Sequence, residues 1–141
     1  MIKNIILDLD ETLIHSTVKK ITDYEFKIKL RDAIYYVKKR PGLKKFLAYI
    51  FKKYDTISVW TAATHDYAIK IIENIFTPTQ RKQLKFFHTR KHTSMGTKPL
   101  SLIFESDQAK KLNISNHNTI IIDDKTDVVY HNPGNGIIIP A

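Results

Sequence analysis

Ile5, Ile6 and Leu7 form a short unbroken apolar run within residues 3–7. Such a run reads as a strand buried on both faces. It ends abruptly in Asp8 and Asp10, with Thr12 two positions further on. "YEFKIKL", residues 24–30, alternates apolar and charged positions, the period of a half-buried strand. Arg31-Asp32 can turn the chain, and "AIYYVK" then returns, so a β-hairpin is predicted. Leu43, Phe46, Leu47, Ile50 and Phe51 recur at helical spacing, with lysines on the opposite face. "DTISVW" reads as a second buried strand ending in Thr61, and "HDYAIKIIENIF" as a second amphipathic helix. "LKFFH" is a candidate short strand inside a basic loop. Pro99 suits the first turn of a helix carrying Leu100, Ile103 and Phe104. "NTIIID", ending in Asp123 and Asp124, and "GIIIP" complete the buried strands.

Buried strands alternating with amphipathic helices predict an α/β fold with a mainly parallel, Rossmann-like sheet. Ligands of such sheets bind beyond the carboxyl ends of the strands. Asp8/Asp10, Thr61 and Asp123/Asp124 each follow a buried strand, so a parallel sheet would deliver all of them to one edge.

Composition narrows the choices. The 141 residues contain no repeat, low-complexity tract or Pro/Gly-rich linker, so one domain over residues 1–141 is expected. The absence of cysteine removes disulfides, thiolate metal sites and a cysteine nucleophile. The opening turns acidic within ten residues, unlike a signal peptide, and no apolar run is long enough for a membrane helix. A net charge of +9 favours acidic partners. The lysine and arginine pairs are scattered, which disfavours a nucleic-acid-binding arm.

Four clustered carboxylates repel unless something neutralises them. A hard, oxygen-seeking cation such as Mg²⁺ suits them, and none of the six histidines is placed as a metal ligand. In one local turn, one of Asp8 and Asp10 can attack phosphorus while the other serves as general acid and base. Positive charge and donors are then needed around the phosphoryl oxygens. Thr61 offers a hydroxyl and Lys98 an ammonium; Arg90 or Lys91 could fill the same role. Phe86, Phe87 and Tyr67 are candidates either for a peptide groove or for the core.

"DLDETLIH" resembles the DxDx[TV] motif of the haloacid dehalogenase superfamily of phosphohydrolases. With "KKRPGLKKFL" and "SVWTAATHDYA" it resembles, more narrowly, the RNA polymerase II C-terminal-domain (CTD) phosphatases, including the NLI-interacting-factor-like small phosphatases. The first motif and Arg40-Pro41 are the most specific parts of that resemblance. It implies Asp8 as nucleophile and Asp10 as general acid/base. It implies Thr12, Thr61, Ala62 and Lys98 around the phosphate. It implies Mg²⁺ held by Asp8, the main-chain carbonyl of Asp10, and Asp123, with Asp124 supporting the metal and its water shell. The expected substrate is phosphoserine or phosphothreonine in a protein or peptide, with no large cap domain, no stable nucleic-acid binding and no membrane partner. An intracellular setting is expected, in nucleus or cytoplasm, and a viral origin is in keeping with so compact and lysine-rich a chain. The family's substrate-selecting β insertion would fall at residues 76–97, where the match is loose. Relatives continue beyond "GIIIPA" into a further helix, so the last strand is expected to lack a cover. The rival readings are a phosphatase of small molecules or nucleic-acid ends, and a phosphate-responsive module with little turnover.

Overall fold

The computed structural model describes residues 1–141. Its centre is a parallel sheet of five strands: β1 (Asn4–Leu7), β5 (Thr56–Trp60), β6 (Leu84–His88), β7 (Thr119–Asp123) and β8 (Gly136–Ile138). Their spatial order is β6-β5-β1-β7-β8, which puts β1 in the middle. All four residues of β1 are buried, as a strand covered on both faces must be.

The pleat of β1 sorts its side chains between two cores. Ile5 and Leu7 face one cluster, packed with Leu47 and Ile50 of α1 (Leu43–Lys53) and Ala68, Ile71 and Ile72 of α2 (His65–Ile75). Ile6 faces the other, with Trp60, Phe86, Ile103 of α4 (Ser101–Phe104), Ala109 of α5 (Asp107–Lys111) and Val128 of α6 (Thr126–His131). Burying each such side chain stabilises the fold by ~1.5–3 kcal/mol. The sheet is therefore held rigidly from both sides, and so are the residues that leave its carboxyl edge.

Between β1 and β5 lies a smaller antiparallel sheet, β2 (Ile14–Thr17), β3 (Phe26–Lys29) and β4 (Ile34–Lys39), in the order β2-β4-β3. The predicted hairpin is β3–β4, and β2 adds a third strand to it. β2 has only four residues, one of them buried, too few to show a period. Gly42 adopts a left-handed φ of 81° immediately before α1. That conformation costs glycine little and lets the chain turn straight from Arg40-Pro41 into the helix.

Residues 76–97 depart from the expected loop or insertion. They hold α3 (Pro78–Gln83), the edge strand β6, and a 3₁₀ turn at Arg90–His92. "LKFFH" thus joins the main sheet, parallel to β5. α3 has no buried residue, so hydrophobic period could not announce it. A capping box between Thr77 and Gln80 starts it instead. Ile137 and Ile138 of β8 are exposed.

Candidate active site

Register brings the carboxylates together. Leu7 pairs with Ile122 in β7 and with Val59 in β5. One step on, Asp8 lies beside Asp123 on one side and Trp60-Thr61 on the other. The edge chosen by strand direction alone is the edge where these side chains meet.

Lys98 enters this edge from the segment before α4. Its ammonium donates to Asp8 Oδ1 at 2.8 Å and to Asp123 Oδ2 at 2.6 Å. Asp8, Asp123 and Lys98 are all buried, so these charges are poorly screened. The Thr12 hydroxyl donates to Asp8 Oδ2 at 2.7 Å, and the Lys125 amide donates to Asp123 Oδ1 at 3.1 Å. Arg90 and Lys91 take no part. The Arg90 Nε donates to the Ala62 carbonyl at 2.9 Å, and Lys91 is exposed.

Electrostatics follow from burial. Burial pushes the Asp8 carboxyl up to about 7, with Lys98 opposing and Asp123 reinforcing. Burial also raises Asp10, while a hydrogen bond from Tyr67 pulls the other way. Burial alone would lower Lys98, but the Asp8 and Asp123 carboxylates outweigh it and hold the ammonium above its ordinary range. Asp124 is raised by burial first and by its neighbour Asp123 next.

Three carboxylates face one ammonium here. Single oxygens of Asp8, Asp123 and Asp124 lie within 4.8 Å of one another. Asp124 Oδ1 is buried with no hydrogen-bond partner. A buried acceptor without a partner costs ~1–3 kcal/mol. An all-oxygen set with surplus negative charge and an unspent ligand atom fits Mg²⁺.

Thr61 closes the other side. Its hydroxyl accepts from the Ala63 amide at 3.1 Å, which leaves its own proton free to donate. Its amide donates to the His88 carbonyl at 2.9 Å, so β6 fixes it. Ala62 sits in the same turn, held through its carbonyl by Arg90.

Two supporting residues were not assigned these contacts from the sequence. Tyr67 donates its hydroxyl to Asp10 Oδ1 at 2.6 Å. Its helical spacing places it on the inner face of α2 but cannot say where its hydroxyl ends. Asn132 donates to the Lys98 carbonyl at 2.8 Å and accepts from the Leu100 amide at 2.7 Å. It fixes the segment that carries Lys98, and nothing in the local sequence signals it. Phe86 belongs to the Ile6 core, and Phe87, half-buried, packs against the opposite core with Ile5 and Leu7. Beside Asp10 opens a cleft of about 400 Å³, lined by Ser16, Tyr35, Ala63, Thr64, Tyr67 and Arg90 among others.

Comparison with known proteins places this geometry in a family. The family model described as NLI interacting factor-like phosphatase matches residues 3–141. A CTD phosphatase-like protein of Invertebrate iridescent virus 3 is 32% identical, over 96% of this chain and 81% of its own. A C-terminal domain small phosphatase of Dictyostelium discoideum is 30% identical, over 99% of this chain but 44% of its own. Among solved structures, the fission yeast RNA polymerase II CTD phosphatase bound to beryllium fluoride superposes with a TM-score of 0.75 at 27% identity. That alignment covers 98% of this chain and 41% of the yeast chain. The α/β architecture expected from the sequence, of haloacid dehalogenase type, is the one these structures share.

Proposed function

The chain belongs to the NLI interacting factor-like phosphatases, and on that footing we propose that it is a Mg²⁺-dependent phosphoprotein phosphatase. It acts on phosphoserine or phosphothreonine through an aspartyl-phosphate. The arrangement that supports this reading best is Lys98, with its ammonium shared between Asp8 and Asp123 beside the hydroxyls of Thr12 and Thr61. That is a nucleophile, a cation and donors around the space of one phosphoryl group.

In the first step an Asp8 oxygen attacks phosphorus and the bond to the serine oxygen breaks. Asp10, as the carboxylic acid, gives its proton to that oxygen. Its burial favours the acid form that the step requires. In the second step the Asp10 carboxylate takes a proton from water as the water oxygen attacks phosphorus. Inorganic phosphate leaves, and Asp8 is restored. Lys98 favours the ionised form of Asp8 against burial, and Thr12 fixes the carboxylate through its second oxygen. Thr61 and the Ala62 turn hold the phosphoryl oxygens. Mg²⁺, held by Asp8, Asp123, Asp124 and the Asp10 carbonyl, would supply the further positive charge that those oxygens need.

A polypeptide substrate suits a site with only a small insertion beside it. Only the small sheet and α1 intervene between β1 and β5, and the cleft beside Asp10 mixes polar side chains such as Ser16, Thr64 and Arg90 with apolar ones such as Leu30 and Tyr35. Relatives named as RNA polymerase II CTD phosphatases support a phosphorylated peptide as substrate, and we take phosphoserine followed by proline as its form. The virus relative favours a viral protein working inside a host cell.

The test is the specificity constant for a phosphoserine-proline peptide, measured against phosphorylated metabolites and 5′-phosphorylated oligonucleotides. The peptide is expected to win. A metabolite or oligonucleotide ahead by more than about tenfold, a gap of ~1.4 kcal/mol, would overturn the phosphoprotein reading. The same scaffold would then be a phosphatase of small molecules or nucleic-acid ends.

A further inference from the structure

Arg40 belongs to one of the most specific parts of the family resemblance, yet no role above uses it. It follows β4, and its side chain turns back to the loop that carries Asp10 and Thr12. Nε donates to the Thr12 carbonyl at 2.6 Å, and Nη2 donates to the Glu11 carbonyl at 2.9 Å. The Arg40 amide donates to the Leu13 carbonyl at 2.9 Å. Three consecutive carbonyls, those of residues 11, 12 and 13, are therefore spent on one residue. Nη2 also donates to the Pro140 carbonyl at 2.6 Å, which ties the segment after β8 to the same loop.

The loop needs the help. Glu11 has φ of 63°, the left-handed region in a residue that bears a Cβ. Such a residue costs ~1–2 kcal/mol and persists only where its surroundings enforce it. The residues on either side of Glu11 carry the chemistry. Asp10 precedes it, and Thr12 follows with its hydroxyl on Asp8. Thr12 has this second anchor on Asp8, so a small relaxation at Glu11 would fall on Asp10.

We propose that Arg40 is a positioning residue for phosphoryl transfer. Its guanidinium holds the left-handed turn at Glu11 so that Asp10 keeps its orientation toward the leaving oxygen. The role demands the planar fork. A lysine ammonium carries the charge but cannot reach the Glu11 and Thr12 carbonyls with two fixed, in-plane donors. Arg40 touches no reacting atom, so it acts through the turn alone. The proposal rests on the phosphatase reading, because it assigns Asp10 the proton delivered to the leaving oxygen.

Leaving-group dependence separates positioning from a plain structural strut. A poor leaving group such as phenoxide depends on the acid, whereas 2,4-dinitrophenoxide departs without it. The full chain carrying Arg40→Lys, and separately Arg40→Gln, is assayed with phenyl phosphate and 2,4-dinitrophenyl phosphate at saturating Mg²⁺. Expected is a loss in kcat/KM of ~10²-fold for phenyl phosphate, as a small misplacement can cause, and of under about threefold for dinitrophenyl phosphate. A fall in the folded fraction lowers both rates equally, so their ratio stays informative even if the variants are less stable. Equal losses on the two substrates in both variants, with wild type turning both over, overturn the positioning role and leave the phosphatase reading standing. A wild-type chain inert toward both overturns the reading and this proposal together.

Discussion

The Tyr67 hydroxyl, on α2, donates a 2.6 Å hydrogen bond to Oδ1 of Asp10. The ring is held independently, edge-on to Tyr35 with centroids 5.1 Å apart. Tyr67→Phe should therefore keep the fold and lose only the aim of the acid. We expect kcat/KM for phenyl phosphate to fall ~10-fold, part of what a general acid contributes, with the melting temperature within a few degrees of wild type. Thermal melts beside the kinetics check this. An unchanged rate would mean that the bond does not orient the acid.

Asp8 and Asp10 separate by labelling. Asp8→Asn should abolish turnover and covalent phosphate together, because the carboxylate proposed as nucleophile becomes an amide. Asp10→Asn should slow turnover by ~10²–10⁴-fold. It should still allow Asp8 to be phosphorylated by a substrate with a good leaving group, and the intermediate should then accumulate. Acid-quenched intact mass reads both. A phosphoryl adduct surviving in Asp8→Asn would refute the assignment.

The main sheet and the meeting of Asp8, Thr61 and Asp123 were legible in advance. Buried parallel strands are unbroken apolar runs, and parallel strands must deliver their ends to one edge. Lys98 was legible only as the lysine in the right order, since a loop residue's destination depends on tertiary packing such as the Asn132 clamp. Within 76–97 the strand "LKFFH" was legible, but its place at the edge of the main sheet was not, and neither was α3, which is polar throughout and marked only by the Thr77 and Gln80 pair. α6 is six residues long and buries only Val128, too short to show a period. The Tyr67–Asp10 bond joins a helix face to a turn, and periodicity carries no information about such a reach.

Lys98 performs two tasks, so its removal should show two effects. Lys98→Ala leaves Asp8 and Asp123 buried without their ammonium. Breaking a buried ion pair from one side typically costs ~3–5 kcal/mol, and Mg²⁺ should restore part of it by neutralising the same carboxylates. Melts with chelator and with Mg²⁺ measure that recovery. In the kinetics, kcat should fall more than KM rises, because charge on the phosphoryl oxygens is redistributed in the transition state. A raised KM at unchanged kcat would make Lys98 a uniform binding group instead.

Asp124 tests whether the cluster is built for a cation. Its charge adds to that of Asp8 and Asp123, and burial already disfavours the ionised form. Asp124→Asn should therefore raise the melting temperature in chelator by a few degrees, the effect of ~1 kcal/mol in a domain of this size. The same substitution should weaken Mg²⁺ stabilisation and raise the Mg²⁺ concentration needed for activity. A lower melting temperature in chelator would show that Asp124 is a structural acceptor and not an unsatisfied ligand.

Protons and Mg²⁺ should compete for Asp8. Without Mg²⁺, burial, opposed by Lys98, holds its carboxyl at about 7, well above the ordinary value of 3.8. As the proposed nucleophile, Asp8 must be ionised, so activity should be retained above its pKa and lost as pH falls through it. A divalent cation beside the carboxylate favours the ionised form and moves that pKa down. At saturating Mg²⁺ the acid limb of kcat/KM should therefore lie well below neutrality. As Mg²⁺ is made limiting it should climb toward 7. Equivalently, the Mg²⁺ concentration for half-maximal activity should rise as pH falls, by up to ~10-fold per pH unit where one proton is displaced. Profiles of kcat/KM from pH 5 to 8 at two Mg²⁺ concentrations decide the matter. An acid limb that stays fixed as Mg²⁺ varies would mean that the group titrating in the profile is not a carboxylate in contact with the metal, and Asp8 would lose its place among the ligands.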